Sequence, residues 1–197
     1  MKAFLNKGIH AHLDLIAEIQ SDKALQEKLE MLAESMIRVF EQGGRVLICG
    51  NGGSAADAAH LAAELAGRFY LDRPPLDAEA LHVNDSFVTA VANDYGYDYI
   101  FERAVEAKGR KGDLLLAIST SGQSGNILKA VKKAAQIGLQ TACFTGAKGN
   151  ALAALCELPM VIPSVETPRI QEAYMLLGHL LCEWIEYKMF GNGKIGH

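Results

Sequence analysis

Apolar residues recur at Leu5, Ile9, Leu13 and Ile16, the spacing of one helix face. Ser21 and Asp22 interrupt the pattern with side chains suited to an N-cap. Leu25, Leu29, Leu32, Met36, Val39 and Phe40 then resume it as far as Gly43 and Gly44. The pattern predicts a helical hairpin over residues 1–43, with an apolar seam of its own. From residue 44 the period changes. Val46-Leu47-Ile48-Cys49 is a continuous apolar run that enters Gly50-Asn51-Gly52-Gly53-Ser54, and a helical pattern follows from Ala55 to Phe69. After the break at Arg73-Pro74-Pro75, Ala80–Val83 reads as a short strand ending in Asn84-Asp85. Residues 86–107 read as helical, with an interruption near Asn93-Asp94-Tyr95-Gly96.

Asp113–Ser119 reads as a buried strand, Ile127–Ile137 as a helix and Leu139–Gly146 as another strand. A short helix near Ala151 precedes a strand over Leu158–Pro163. A last helix, from about Arg169 to Met189, is apolar on most of its sides and is therefore expected to be buried, here in an oligomer. Strands alternate with helices throughout this part, which predicts an α/β fold: a three-layer sandwich with a parallel, doubly wound, flavodoxin-like sheet of five strands. The chain reads as one domain, with the hairpin at 1–43 and the α/β core at 44–197.

Composition narrows the function. Half of the 197 residues are hydrophobic, enough for a sizeable core, and the net charge is −4 with no basic stripe, so nucleic acid is not expected as a ligand. No apolar run is long enough to span a bilayer, so no membrane partner is expected. Met1-Lys2 leads into an amphipathic helix, not a signal peptide. Cys49, Cys143, Cys156 and Cys182 are scattered without a CxxC, which reads as reduced thiols in a cytoplasmic protein.

The candidate chemistry lies first in two turns. Gly50–Ser54 joins a strand to a helix, where free backbone N–H groups and the positive end of the helix dipole attract an anion, most often a phosphate. Ser119-Thr120-Ser121-Gly122-Gln123-Ser124-Gly125-Asn126 occupies an equivalent place, with hydroxyls that suit a phosphate or simply cap the helix. There is no GxxxxGK[ST] for a nucleoside triphosphate. The glycines half-fit a dinucleotide fingerprint, but no acidic residue closes an adjacent strand about 20 residues on.

The second group is on helices. His60 and Glu64, at i and i+4, share a helix face, where they form at least a hydrogen-bonded pair. Gln171 and His179 lie two turns apart on the last helix, roughly 80° apart around its axis; His179 also has Glu183 at i+4 as a simple partner. The four side chains form one plausible N/O metal shell. Equally, Glu64 and His179 are a carboxylate and an imidazole for proton transfer. Asn93 and Asp94, at the expected helix break, either reach a ligand hydroxyl or form an Asx turn. His10, His12, His82 and His197 are assigned no role.

Taken together, Gly50-Asn51-Gly52-Gly53-Ser54, Asp57-x-x-His60-x-x-x-Glu64-Leu65-x-Gly67-Arg68, Asn93-Asp94-Tyr95-Gly96, Ile118-Ser119-Thr120-Ser121-Gly122-x-Ser124 and Arg169-Ile170-Gln171-Glu172 resemble the phosphoheptose isomerases. These sugar-isomerase (SIS) domain proteins convert sedoheptulose 7-phosphate to D-glycero-D-manno-heptose 7-phosphate for the inner core of lipopolysaccharide. The resemblance covers nearly the whole chain. It implies that Ser119, Ser121 and Ser124 hold the phosphate. It also implies that Asn51, Gly52, Gly53, Ser54, Asn93, Asp94, Thr120, Glu64 and Gln171 bind the rest of the substrate. Glu64 would be the base and His179 its acid/base partner. His60, Glu64, Gln171 and His179 would hold one zinc ion per subunit of a homotetramer. The runner-up is a non-catalytic SIS protein that binds a phosphosugar, like the relative that associates with the bacterial replication initiator; that relative lacks the Glu64 and His179 equivalents.

Overall fold

The structure, a computed structural model, describes residues 1–191. His197 and the last residues of the expected core fall outside that range. Two helices open the chain, α1 (Lys2–Ser21) and α2 (Lys23–Glu41). Asp22 caps α2 by accepting the Leu25 N–H at 3.0 Å, so the chain reverses where the Ser-Asp pair predicts. The alternating part follows as β1 (Val46–Gly50), α3 (Gly53–Ala66), β2 (Ala78–Ala80), α4 (Asp85–Tyr95), a 3-10 turn (Tyr97–Tyr99) and α5 (Ile100–Lys108). It continues with β3 (Leu114–Ser119), α6 (Gly125–Gln136), β4 (Gln140–Gly146), α7 (Asn150–Ala153), β5 (Leu158–Ile162) and α8 (Thr167–Phe190).

The five strands form one parallel sheet in the order β2-β1-β3-β4-β5. β1 and β3 are buried along their whole length, as strands of a parallel sheet covered on both faces must be. Alternate residues feed two cores. Val46, Ile48, Leu114, Leu116 and Phe144 face α2, α3 and α8, whereas Leu47, Cys49, Leu115, Ala117 and Cys143 face α5 and α6. From β1 the chain moves outward to β2, then returns to lay β3 on the other side of β1. The strand order therefore reverses between β1 and β3, and ligands of such sheets bind at that point, beyond the carboxyl ends of the strands.

Two expectations shift locally. The second strand is Ala78–Ala80, not Ala80–Val83; Leu81 still donates its N–H to Ile48 at 2.9 Å, and the chain then turns. Asn84 does not close a strand: its side chain accepts the Phe87 N–H at 3.0 Å and caps α4. The expected interruption near Asn93-Asp94-Tyr95-Gly96 is present: α4 ends at Tyr95, and Gly96 follows with a φ of 95° that suits glycine.

Candidate functional site

The two Gly/Ser turns meet at the point of strand reversal. Gly50 is the last residue of β1, and a Cβ there would collide with the Ser54 carbonyl, so glycine lets α3 start directly over the strand end. Gly52, the N-cap of α3, has φ 55° and ψ −121°, a conformation that other residues rarely adopt. Beyond β3, the buried Ser119 hydroxyl accepts the Gly122 N–H at 3.2 Å, and the Ser121 hydroxyl accepts the Gln123 N–H at 3.3 Å. Ser124 stands at the N-cap of α6 without capping it through its side chain. Thr120 and Ser121 also line a cleft of about 210 Å3 with Lys148, Ser164 and Thr167. The turn thus presents hydroxyls and helix-terminal amides together, the components of a phosphate cradle.

The turns are bolted together by amides. Asn51 Nδ2 donates to Asn126 Oδ1, and Asn126 Nδ2 donates back to Asn51 Oδ1, both at 2.9 Å. Tyr97 adds its hydroxyl to Asn51 Oδ1 at 3.0 Å. Asn51 therefore sits at the reversal point in a held orientation. Asn93 donates to Asp94 at 2.9 Å, and both are exposed.

Two helices carry the remaining candidates. Gln171 lies against Gly53, Tyr174 against Ser54 and Asp57, Gly178 against Leu61, and His179 against His60. These contacts advance together along both chains, so α3 and α8 run side by side and parallel. Tyr174 donates to Asp57 at 2.7 Å; its single proton is then used, so the Ser54 hydroxyl must donate to it at 2.9 Å. Burial pushes the Tyr174 phenol above its ordinary range, and Asp57 adds to that against the opposing Ser54 bond, which keeps it neutral. The Ser54 hydroxyl thus points to the α3–α8 seam rather than into the turn.

Two turns further along α3, His60 stands at the centre of a cluster. Its Nε2 is 3.2 Å from Glu64 Oε1 and 3.3 Å from His179 Nε2. A proton on His60 Nε2 faces both Glu64 Oε1 and His179 Nε2, and the direction of the His60–His179 bond follows from the tautomers the two rings adopt. The Phe69 ring closes one side, with its centroid 5.9 Å from that of His179. His179 pairs with His60 here, not with Glu183. A carboxylate and an imidazole so placed can exchange protons with neighbouring carbon and oxygen atoms.

Among the described residues no group of three or more His, Cys, Asp or Glu side chains forms a ready metal site. The donor chemistry of the cluster nevertheless suits zinc, which takes imidazole nitrogens and carboxylate oxygens. These two separations are also close to the edge of a zinc tetrahedron, roughly 3.3 Å for bonds of about 2.0–2.1 Å. The fourth expected donor does not join them. Gln171 is held at the opening of α3, eight residues and roughly 12 Å of helix rise before His179.

Sequence patterns gave Tyr174, Asn126 and Tyr97 no individual role in the site. Tyr174 carried one signal, its place one turn after Gln171 on the same helix. The pairing of Asn51 with Asn126, 75 positions apart, left none.

The fold and its two turns define a sugar-isomerase domain, and a family model described as SIS domain matches residues 10–146. The chain belongs to that family and, within it, to the phosphoheptose isomerases. It is 45% identical to the phosphoheptose isomerase of Clostridium acetobutylicum over 192 residues, covering 98% of each chain. It is also 45% identical to that of Burkholderia pseudomallei, covering 96% of each. The phosphoheptose isomerase structure from Neisseria gonorrhoeae superposes with a TM-score of 0.88 at 37% identity, covering 94% of this chain and 98% of the other. These relatives favour an aldose–ketose isomerase over a non-catalytic phosphosugar-binding protein.

Proposed function

We propose that Glu64 and His179 are the proton-transfer pair of an isomerase that interconverts sedoheptulose 7-phosphate and D-glycero-D-manno-heptose 7-phosphate. The observation that carries the reading is the convergence of His60, Glu64 and His179 on adjacent faces of α3 and α8. The Ser119–Ser124 turn and the amides opening α3 and α6 hold the phosphate, which places C1 and C2 against the pair of a neighbouring subunit. Glu64 removes a proton from C1 of the ketose, and the electrons form an enediolate between C1 and C2. A proton is then returned to C2, while His179 moves the proton between the two oxygens. Asn51, Gly52, Gly53, Thr120, Asn93, Asp94 and Gln171 are assigned to the sugar chain.

Zinc, where bound, would be held by His60, Glu64 and His179. It would polarise the substrate oxygens.

The whole chain, hairpin and core, is read as one SIS domain that assembles as a homotetramer in the cytoplasm. In support, Phe4, Leu5, Ile9 and Leu13 leave an exposed apolar stripe on α1. Leu176 and Leu180 are exposed on α8, the latter beside a groove of about 490 Å3 against α2. Among the described residues no helix is long and apolar enough to cross a membrane.

Purified protein incubated with sedoheptulose 7-phosphate should accumulate the aldoheptose 7-phosphate to equilibrium. Saturable binding of the ketose phosphate without conversion would assign the chain to the phosphosugar-binding class instead.

A further inference from the structure

Arg73 and Glu186 lie outside the turns and the histidine cluster, yet they touch both helices that carry the cluster. Their side chains are each 2% exposed, and Arg73 Nε donates to Glu186 Oε1 at 2.9 Å. The rest of the guanidinium closes the end of α3. Nη2 donates to the Glu64 carbonyl at 2.9 Å, and Nη1 donates to those of Leu65 at 2.8 Å and Pro74 at 3.0 Å. Glu186 accepts the backbone N–H groups of Phe69, Tyr70 and Leu71 at 3.0, 2.6 and 2.9 Å. It lies seven residues beyond His179, two turns on, so both leave α8 along one stripe. A continuous path therefore runs from the backbone of Glu64, through Arg73 and Glu186, to Phe69, whose ring lies against His179.

An ionic pair is not what stability alone requires here. Apolar residues of similar volume often serve a buried site as well or better. What a guanidinium adds is direction, since its donors form a rigid planar fork. Gly67, the C-cap of α3, has φ −85° and ψ −102° and so lacks the left-handed conformation that usually satisfies the last carbonyls. Arg73 satisfies them while fixing them to α8. Burial alone would raise the Glu186 pKa and favour the neutral form, but the three amides and Arg73 outweigh it and hold the carboxyl below its ordinary range. Glu186 therefore stays charged at neutral pH, facing the Arg73 guanidinium.

We propose that Arg73 and Glu186 are positioning residues for the isomerisation: they set the separation of α3 and α8 where Glu64 faces His60 and His179. This rests on Glu64 and His179 being the proton-transfer pair. A displacement of about 1 Å at such a pair costs on the order of 10²-fold in rate.

The test uses the full chain with sedoheptulose 7-phosphate and three variants: Arg73→Lys, the double variant Arg73→Met/Glu186→Met, and Glu64→Gln. The double variant leaves no unpaired buried charge, although the backbone groups that Arg73 and Glu186 satisfied lose those partners, so Tm is followed in every variant. Lysine keeps Glu186 paired but cannot reach the Glu64 and Leu65 carbonyls as a fork does. In both pair variants kcat should fall by about 10- to 100-fold. KM should move less than about threefold, because the phosphate turns lie at the other end of α3. A merely structural role would lower Tm and leave kcat per folded molecule unchanged. A folded double variant with kcat within about twofold of the parent would overturn the proposal, as would a loss expressed wholly in KM. If the double variant does not fold, Arg73→Lys with the parent's kcat overturns it equally. Glu64→Gln with full turnover would refute the underlying reading instead, whatever the pair variants do.

Discussion

Glu64→Gln should fold, bind the sugar phosphate and turn over about 10²- to 10⁴-fold more slowly, the usual contribution of a general base. The amide keeps the shape of the carboxylate but cannot take a proton from carbon. The site tolerates the change sterically, because the Glu64 side chain is 27% exposed and its Oε1 lies 3.2 Å from His60 Nε2. KM should change little, since the phosphate turn is remote from the substitution. The check is kcat and KM alongside Tm and metal content in the same preparation, because a lost zinc ligand and a lost base both reduce rate. A loss of less than about tenfold would mean that another group removes the C1 proton.

Mixing two inactive variants should restore activity. Ser54 opens α3 and Glu64 lies ten residues on, so roughly 15 Å of helix rise separates the phosphate end of α3 from the base. A heptose phosphate is shorter than that, so a neighbouring subunit is expected to supply Glu64 to each phosphate turn. The exposed apolar residues of α1 and α8 offer the surface for such a neighbour. Combining Ser121→Ala with Glu64→Gln under subunit exchange should regenerate intact sites, about a quarter of the total for random pairing across a two-subunit site. Hybrids confirmed by mass but still inactive would place Ser121 and Glu64 in the same site on one chain.

Much of this architecture is legible without coordinates, for identifiable reasons. Val46–Cys49 and Leu114–Ile118 are covered on both faces, so they stand out as unbroken apolar runs. Gly50–Ser54 stands out because a close approach and a positive φ leave little choice of residue. β2 is less legible: it is a three-residue edge strand, and the more apolar Leu81 follows it after the ladder has ended. The interruption near Asn93-Asp94-Tyr95-Gly96 is legible because a glycine with positive φ ends α4 there.

In the site, the i, i+4 spacing places His60 beside Glu64. Their meeting with His179 depends on the parallel docking of α3 on α8, which no local pattern encodes. The same docking leaves Gln171 at Gly53 instead of beside His179. Arg73 and Glu186 were hidden for that reason too, since their partners lie across 113 positions of chain.

The most direct test is isomerisation of sedoheptulose 7-phosphate in D₂O, with the product followed by NMR. Proton removal by Glu64 forms an enediolate whose C2 is reprotonated from a group in exchange with solvent, so deuterium should appear at C2 of the aldoheptose 7-phosphate. An aldose product that carries the original C1 hydrogen at C2, with no deuterium even at early times, would show a direct hydride shift and contradict the proton-transfer account.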